Sequence, residues 1–209
     1  DKMTYLVINP YWDVPHSIAV KDKLPLIQKD PGYLAQQKMR AYLGWRADHR
    51  EIDPASIDWS KLGPKNFPYR LRQDPGPQNA LGRLKFMFPN KYNVYIHDTP
   101  SRELFAKTRR TFSSGCIRVE KPLELAAYLL SGSPAWTRQS LQAAIDRGFE
   151  QTVPLPEPIP VHLVYLTAWV DADGVLQLRR DIYNRDAAIE TALEKQPPAA
   201  AAIPGPAES

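Results

Sequence analysis

The stretch HDTPSRELFAKTRRTFSSGCIR, residues 97–118, holds the one cysteine of the chain and a histidine nineteen residues before it. Cysteine chemistry needs a thiolate, a base that takes its proton, and donors for the oxyanion that forms on attack. His97 ends an apolar run, Tyr92–Ile96, that reads as a strand, so its side chain leaves a sheet edge toward a groove. Cys116 follows Ser113, Ser114 and Gly115. Gly115 tolerates positive φ and admits a tight turn, from which the amides of Gly115 and Cys116 can converge on one oxygen. An imidazolium nearby, with Arg118 two residues on, would lower the pKa of the thiol. Taken singly, each residue has a plainer reading. Cysteine is commonly a small buried hydrophobe, a histidine after a strand is often structural, and Arg118 has Glu103 and Glu120 as candidate ion-pair partners. Their coincidence on one pattern favours chemistry.

Outward from this stretch, Leu84–Phe88 and Tyr92–Ile96 read as two strands parted by Pro89-Asn90, and Ile117–Val119 as a third. Thr4–Ile8 is a strand stopped by Pro10. Ser101 is placed to cap a single turn. Pro122 sits at the N1 position of a helix with Leu123, Ala126, Ala127 and Leu130 on one face, and a second helix runs from Arg138 to Arg147, ended by Gly148. The proline-rich VPLPEPIP (153–160) reads as a rigid connector, although its composition also suits a polyproline ligand. Strands Val161–Val170 and Val175–Arg180 flank the turn 171–174 as a hairpin. Residues 13–69 are polar, dotted with aromatics and weakly periodic, and read as an inserted, α-rich lid subdomain. Ser17 caps its first helix and Asp30-Pro31 starts its second. Trp45 and Trp59 are more readily core residues of that lid than substrate contacts. Residues 196–209 (QPPAAAAIPGPAES) have the composition of a disordered tail.

Composition narrows the function. The chain has 209 residues with 21 prolines and 10 glycines, so its connections are stiff and long helices few. No run approaches the apolar length of a membrane span, and no N-terminal segment reads as a signal peptide. One cysteine excludes an internal disulfide and a multi-thiolate zinc site. The four histidines, His16, His49, His97 and His162, lack a metal-binding spacing. No metal and no cofactor is expected. The net charge of +4 is uneven. From Lys61 to Lys121 stand 13 Lys/Arg against 4 Asp/Glu, which points to an anionic partner. No helix-turn-helix, RNA-binding or zinc signature supports nucleic acid as that partner.

The pattern resembles the L,D-transpeptidase catalytic domain, the cysteine enzymes that cross-link bacterial peptidoglycan. In that family a His is followed, after a spacer, by Ser/Thr-x-Gly-Cys, an apolar residue and Arg or Asn. Here fifteen residues separate His97 from Ser113. PGPQNALGRLKF (75–86) and VYIHDTP (94–100) are similar to the large periplasmic subclass that carries a helical lid within the catalytic domain. The resemblance covers roughly residues 5–185. It implies a mainly β fold with α additions: a β-sandwich core, the inserted lid, then C-terminal helices and a hairpin. The catalytic domain would occupy residues 1–195. Because the family domain usually has several strands before the equivalent of Thr4–Ile8, the chain is expected to be partial at its N-terminus, with a membrane anchor lying outside it.

Carried over residue by residue, the resemblance makes Cys116 the nucleophile and His97 its base. The main-chain carbonyl of Asp98 would orient the imidazole, and the amides of Gly115 and Cys116 would form the oxyanion hole. Ser114, Arg118 and Tyr95 would line the groove and bind substrate. Asp98 stands where many members have Gly, so its carboxylate is an alternative orienter, and Ser114 stands where many have His. The implied reaction is attack on the third residue of a stem tetrapeptide, release of D-Ala, and transfer of the acyl group to an amine of a neighbouring stem as a 3→3 cross-link. Basic residues of the middle segment would hold stem carboxylates, a lid would keep water from the thioester, and carbapenem-type β-lactams would acylate the same thiol. A bacterial periplasm is the expected compartment, where a lone thiol has no internal disulfide partner. Water as acceptor would instead make a carboxypeptidase or endopeptidase. Attachment of a lipoprotein lysine ranks below these, and a non-catalytic module binding a cell-wall polyanion is the reading from another class.

Overall fold

The structure, a computed structural model, describes residues 1–44 and 50–195. Trp45, His49 and the tail 196–209 lie outside the described residues. The chain divides into a unit over Asp1–Val161 and a second that begins at His162.

The centre of the first unit is a five-stranded sheet. Its strands are β1 (Lys2–Ile8), β6 (Leu84–Met87), β7 (Ile96–His97), β8 (Ile117–Arg118) and β9 (Gln151–Pro160), in the order β8-β7-β6-β1-β9. All neighbours are antiparallel except β7 and β8, which run parallel. Successive side chains leave a strand on opposite faces. Leu6 and Ile8 of β1, Leu84 and Phe86 of β6 and Val153 and Leu155 of β9 therefore enter one core. Helices α4 (Pro122–Leu129) and α5 (Arg138–Asp146) close that core with Ala126, Leu129, Leu141 and Ala144. The other face of the sheet carries Lys85, His97 and Arg118.

Over that second face lies a smaller core around Trp12, Val14, Ile27, Leu34, Leu71 and Leu81. A helical run, α1 (His16–Ile18), a π-turn (Ala19–Lys23) and α2 (Leu24–Lys29), followed by α3 (Tyr33–Gln36), packs on a four-stranded antiparallel sheet. That sheet has the order β2 (Trp12–Asp13), β5 (Tyr69–Gln73), β3 (Met39–Leu43), β4 (Arg50–Ile52). The helices expected in this region are thus joined by strands that weak periodicity concealed, because each is two to five residues long. Trp59 is 8% exposed and its indole N–H donates to the Pro54 carbonyl at 2.9 Å, a core position.

Five local expectations are corrected. The first helix starts at His16 behind Pro15 with no side-chain cap, so Ser17 lies inside it. Pro31 is not the first residue of a helix, since α3 begins at Tyr33; the Asp30 carboxylate accepts from Gly32 N and Gln36 Nε2 in the turn ahead of it. Tyr92–Tyr95 is not strand. The Asn90 amide group bonds the carbonyls of Phe88 and Val94 and accepts from the amides of Tyr92 and Val94, and Asn93 adopts φ 52°, so only Ile96–His97 pairs. VPLPEPIP is no connector but most of β9, paired with β1 at Val153–Pro154 and again at Ile159–Pro160, on either side of an irregularity in the register. Proline lacks the N–H of a ladder and is confined to sheet edges, and β9 is an edge. The Ser101 hydroxyl makes no cap to the 3₁₀ turn Arg102–Ala106, while α4 and α5 lie where expected, the latter with Thr137 as cap and Gly148 at φ 77°.

The second unit holds the expected hairpin, trimmed to β10 (Ala168–Val170) and β11 (Leu176–Leu178), and α6 (Asp186–Glu194), a helix that sequence reasoning passed over. The chain as a whole is mainly β with helical additions and several sheets, the expected fold class.

Candidate active site

Strands β6, β7 and β8 present three residues in one row. Lys85 lies opposite His97, and His97 opposite Arg118. Cys116, just ahead of β8, shares the alternation of Arg118, as Tyr95 shares that of His97. The backbone fixes this register: Ile117 N donates to Tyr95 O at 3.0 Å, and Val119 N to His97 O at 2.9 Å. Tyr95, His97, Ser114, Gly115, Cys116 and Arg118, all expected at the site, line one cavity of about 800 Å³, together with Lys85. Its far wall, with Trp12, Asp13, Asp22 and Lys23, comes from the smaller core.

His97 is 5% exposed. Its Nδ1 is hydrogen-bonded to the carbonyl oxygen of Asp98. A carbonyl can only accept, so the proton sits on Nδ1 and the lone pair on Nε2. The carboxylate of Asp98, the alternative orienter, is engaged elsewhere. Its Oδ1 accepts from Arg102 Nη2 at 2.6 Å and Thr99 N at 2.7 Å, and its Oδ2 from Arg83 N at 2.8 Å. Sequence reasoning missed Gly82, which makes room for this carboxylate. A Cβ there would stand 2.3 Å from Asp98 Cγ, and its φ of 62° is itself a glycine conformation.

Burial lowers the pKa of His97, the Asp98 carbonyl opposes this, and Arg118 and Lys85 add to the lowering. Burial likewise pushes the Tyr95 phenol far above its usual range, helped by the nearby Cys116. Cys116 is half-buried. Burial also lowers the pKa of Lys85, with Cys116 the largest of the influences that oppose it. On the far wall Asp13 is paired. Burial raises the pKa of Asp13, but its hydrogen bonds to Arg72, at 2.8 and 2.9 Å, outweigh this and leave it lowered.

One expected donor is otherwise occupied. Gly115, at φ 137°, makes the turn foreseen for it, but its amide donates to Ser113 Oγ at 2.9 Å. The Cys116 amide has no such partner among the described residues. The basic excess of the middle segment is also largely consumed within the fold. Arg72 and Arg70 face Asp13, Arg102 faces Asp98, Arg83 bonds Asn9 Oδ1 and the Ile145 carbonyl, and Arg110 caps the carbonyls of Phe105 and Lys107. The cations left in the cavity are few. No group of three or more His, Cys, Asp or Glu among the described residues is placed to hold a metal ion, and no helix there is long and apolar enough to cross a membrane.

Comparison with known proteins agrees with this geometry. The sequence profile of the YkuD family, the L,D-transpeptidase catalytic domain, matches residues 1–136. A Haemophilus influenzae protein named "Putative L,D-transpeptidase" is 38% identical over 191 residues, 91% of this chain. The chain spans 38% of the length of that relative. With a histidine held by the carbonyl that follows it and a Ser-Ser-Gly-Cys turn beside it in the matched region, the chain belongs to the L,D-transpeptidase catalytic domain family.

Proposed function

We propose that the chain is the catalytic part of a peptidoglycan L,D-transpeptidase acting in the bacterial periplasm. The observation that carries this is one face of one sheet: Tyr95, His97, Cys116 and Arg118 open into a single cavity, with the imidazole tautomer fixed by Asp98 O. Cys116 Sγ attacks the carbonyl of the third residue of a stem tetrapeptide. Nε2 of His97 takes the thiol proton as the C–S bond forms and delivers it to the leaving amine as the bond to the terminal D-Ala breaks. Nε2, left as an acceptor by the Nδ1–H bond to Asp98, then takes a proton from the incoming side-chain amine of a second stem as it attacks the thioester. A 3→3 cross-link results and the thiol is restored. The amide of Cys116 stabilises the oxyanion. That of Gly115 joins it on release from Ser113 Oγ. Arg118 and Ser114 hold the stem, and the insert, facing Cys116 across the cavity, limits access of water.

A carbapenem-type β-lactam tests this directly. The native chain is expected to gain the mass of one opened drug, and Cys116→Ala none; an unmodified native chain would refute the reading. Incubation with stem tetrapeptides then separates acceptors, cross-linked dimers marking amine transfer and tripeptides marking hydrolysis.

A further inference from the structure

Beside the reaction cavity lies a second, smaller chamber to which the mechanism above gives no task. Its volume is about 150 Å³. Trp12, Lys23, Ala80 and Arg118 border both spaces, so the two adjoin at these side chains. The register of the sheet says where. Cys116 lies two residues ahead of Arg118, which stands opposite His97 on the parallel neighbour. Thr99, two residues beyond His97, lines the chamber. The chamber thus continues the row past His97 and Arg118, on the side away from Cys116. A leaving group that takes its proton from His97 has this space next in its path.

The charge of the chamber is one-sided. Lys23 and Arg118 line it, and no Asp or Glu among the described residues does. Asp22, next to Lys23, lines only the larger cavity. Arg118 Nε is buried without a hydrogen-bond partner, and its guanidinium joins no ion pair among the described residues. Lys23 Nζ donates to the Tyr33 hydroxyl at 3.1 Å and lies 5.4 Å from the centroid of the Trp12 ring, with no carboxylate among its partners. A buried donor left unpaired is costly, and two such cations on one small space suit a carboxylate. Gln73, also in the wall, is already engaged: its Nε2 donates to the carbonyls of Gln37 and Gln78, and its Oε1 accepts from Ala80 N. Met39 and Trp12 supply an apolar side. A space of this size takes about six non-hydrogen atoms, as a cavity that holds benzene does. Alanine has that number.

We propose that this chamber is the leaving-group subsite: it takes the terminal D-amino acid of the donor stem, with the carboxylate of that residue on Arg118 and Lys23. The inference rests on acyl transfer from Cys116, as proposed above. As the Sγ–C bond forms and the C–N bond breaks, the proton carried by His97 Nε2 passes to the departing nitrogen. The amino acid leaves with a neutral amine and its carboxylate still held. Lys23 brings the insert into recognition of the donor.

The test is calorimetric binding to the full chain carrying Cys116→Ala. One ligand is a stem tetrapeptide ending in D-Ala, the other the same peptide ending in D-alanine amide. The acid is expected to bind roughly ten-fold more tightly than the amide, as charge-assisted contacts require. Adding Lys23→Met narrows that gap about three-fold, through weaker binding of the acid. Lys23→Gln serves should the methionine variant not fold. Gln78 is exposed and lines the chamber alone, so the isosteric Gln78→Glu narrows the gap by repulsion. Equal affinities for acid and amide overturn the proposal. So does a gap that either substitution leaves unchanged: unchanged in Lys23→Met it excludes the lysine, and unchanged in Gln78→Glu it puts the carboxylate in the larger cavity. Release of D-Ala by the native chain is read separately. Its absence, with a gap that depends on residues 23 and 78, removes the proposed function and leaves the carboxylate subsite standing. Its presence without a gap does the reverse.

Discussion

Asp98 performs two tasks with different atoms. Its carbonyl holds the imidazole proton while its carboxylate, 4% exposed, is tied to Arg102 and to two amides. A buried carboxylate is tolerable only when its lone pairs are used this fully. The arrangement depends on the bare Cα of Gly82. Gly82→Ala drives a methyl into Asp98 and enforces an unfavourable φ, so a loss of about 2–4 kcal/mol in urea unfolding is expected. Acylation of Cys116 should slow in the same variant, because a displaced Asp98 takes its carbonyl from His97. Ser113 is the complementary case. Its hydroxyl accepts from the Gly115 amide and donates to the Cys116 carbonyl, which fixes the turn but occupies a donor aimed near the thiol. The residues of the His97–Arg118 stretch were legible because their chemistry is carried by type and spacing. Gly82 and Lys85 were not, since a glycine before a strand and a lysine within one have many ordinary uses.

At the scale of elements, the ends of α5 are fixed by named groups. Thr137 Oγ1 accepts from Ser140 N at 3.1 Å. At the other end, Asn9, at φ 48°, donates from Nδ2 to the carbonyls of Ala144, Ile145 and Phe149. Thr137→Ala is expected to cost about 1 kcal/mol, visible as a lower thermal midpoint with activity unchanged. The edge strand β9 carries a proline at every second position from Pro154 to Pro160. These side chains keep an outer edge from templating another chain. Replacing Pro154, Pro156 and Pro158 together by Val should leave the fold intact and increase self-association, measured by light scattering. Helices α4 and α5 were legible from local signals, a proline at N1 and a glycine after the end. β9 was not, because proline opposes strand formation everywhere but at an edge, and edge position is decided by which strands pair.

For the whole molecule, the consequential choice is the placement of one titratable base between two cores. His97 is buried with its pKa lowered, chiefly by loss of water, so the native state prefers the neutral ring. The unfolded chain binds the proton more readily, near pH 6.5. Stability contributed by this group is therefore present above about pH 6.5 and is lost as pH falls from there toward the lower native pKa. Asp13, whose pKa is also lowered, adds a second loss at more acid pH. The thermal midpoint is expected to drop between pH 7 and pH 5, and His97→Gln should flatten that drop. If both proteins respond alike, His97 is not the group responsible.

The proposed chemistry was legible in the sequence itself: the proposed nucleophile, its base and a glycine turn lie within twenty-two consecutive residues. The helices of the larger core were equally local. Only the tertiary structure decided what faces the thiol. The row of Lys85, His97 and Arg118 exists because three short strands adopt one register, and the far wall exists because strands of two to five residues assemble into a sheet that no single segment specifies. Pairing between distant segments depends on burial shared across them, and a linear pattern carries no record of which partner each edge will find.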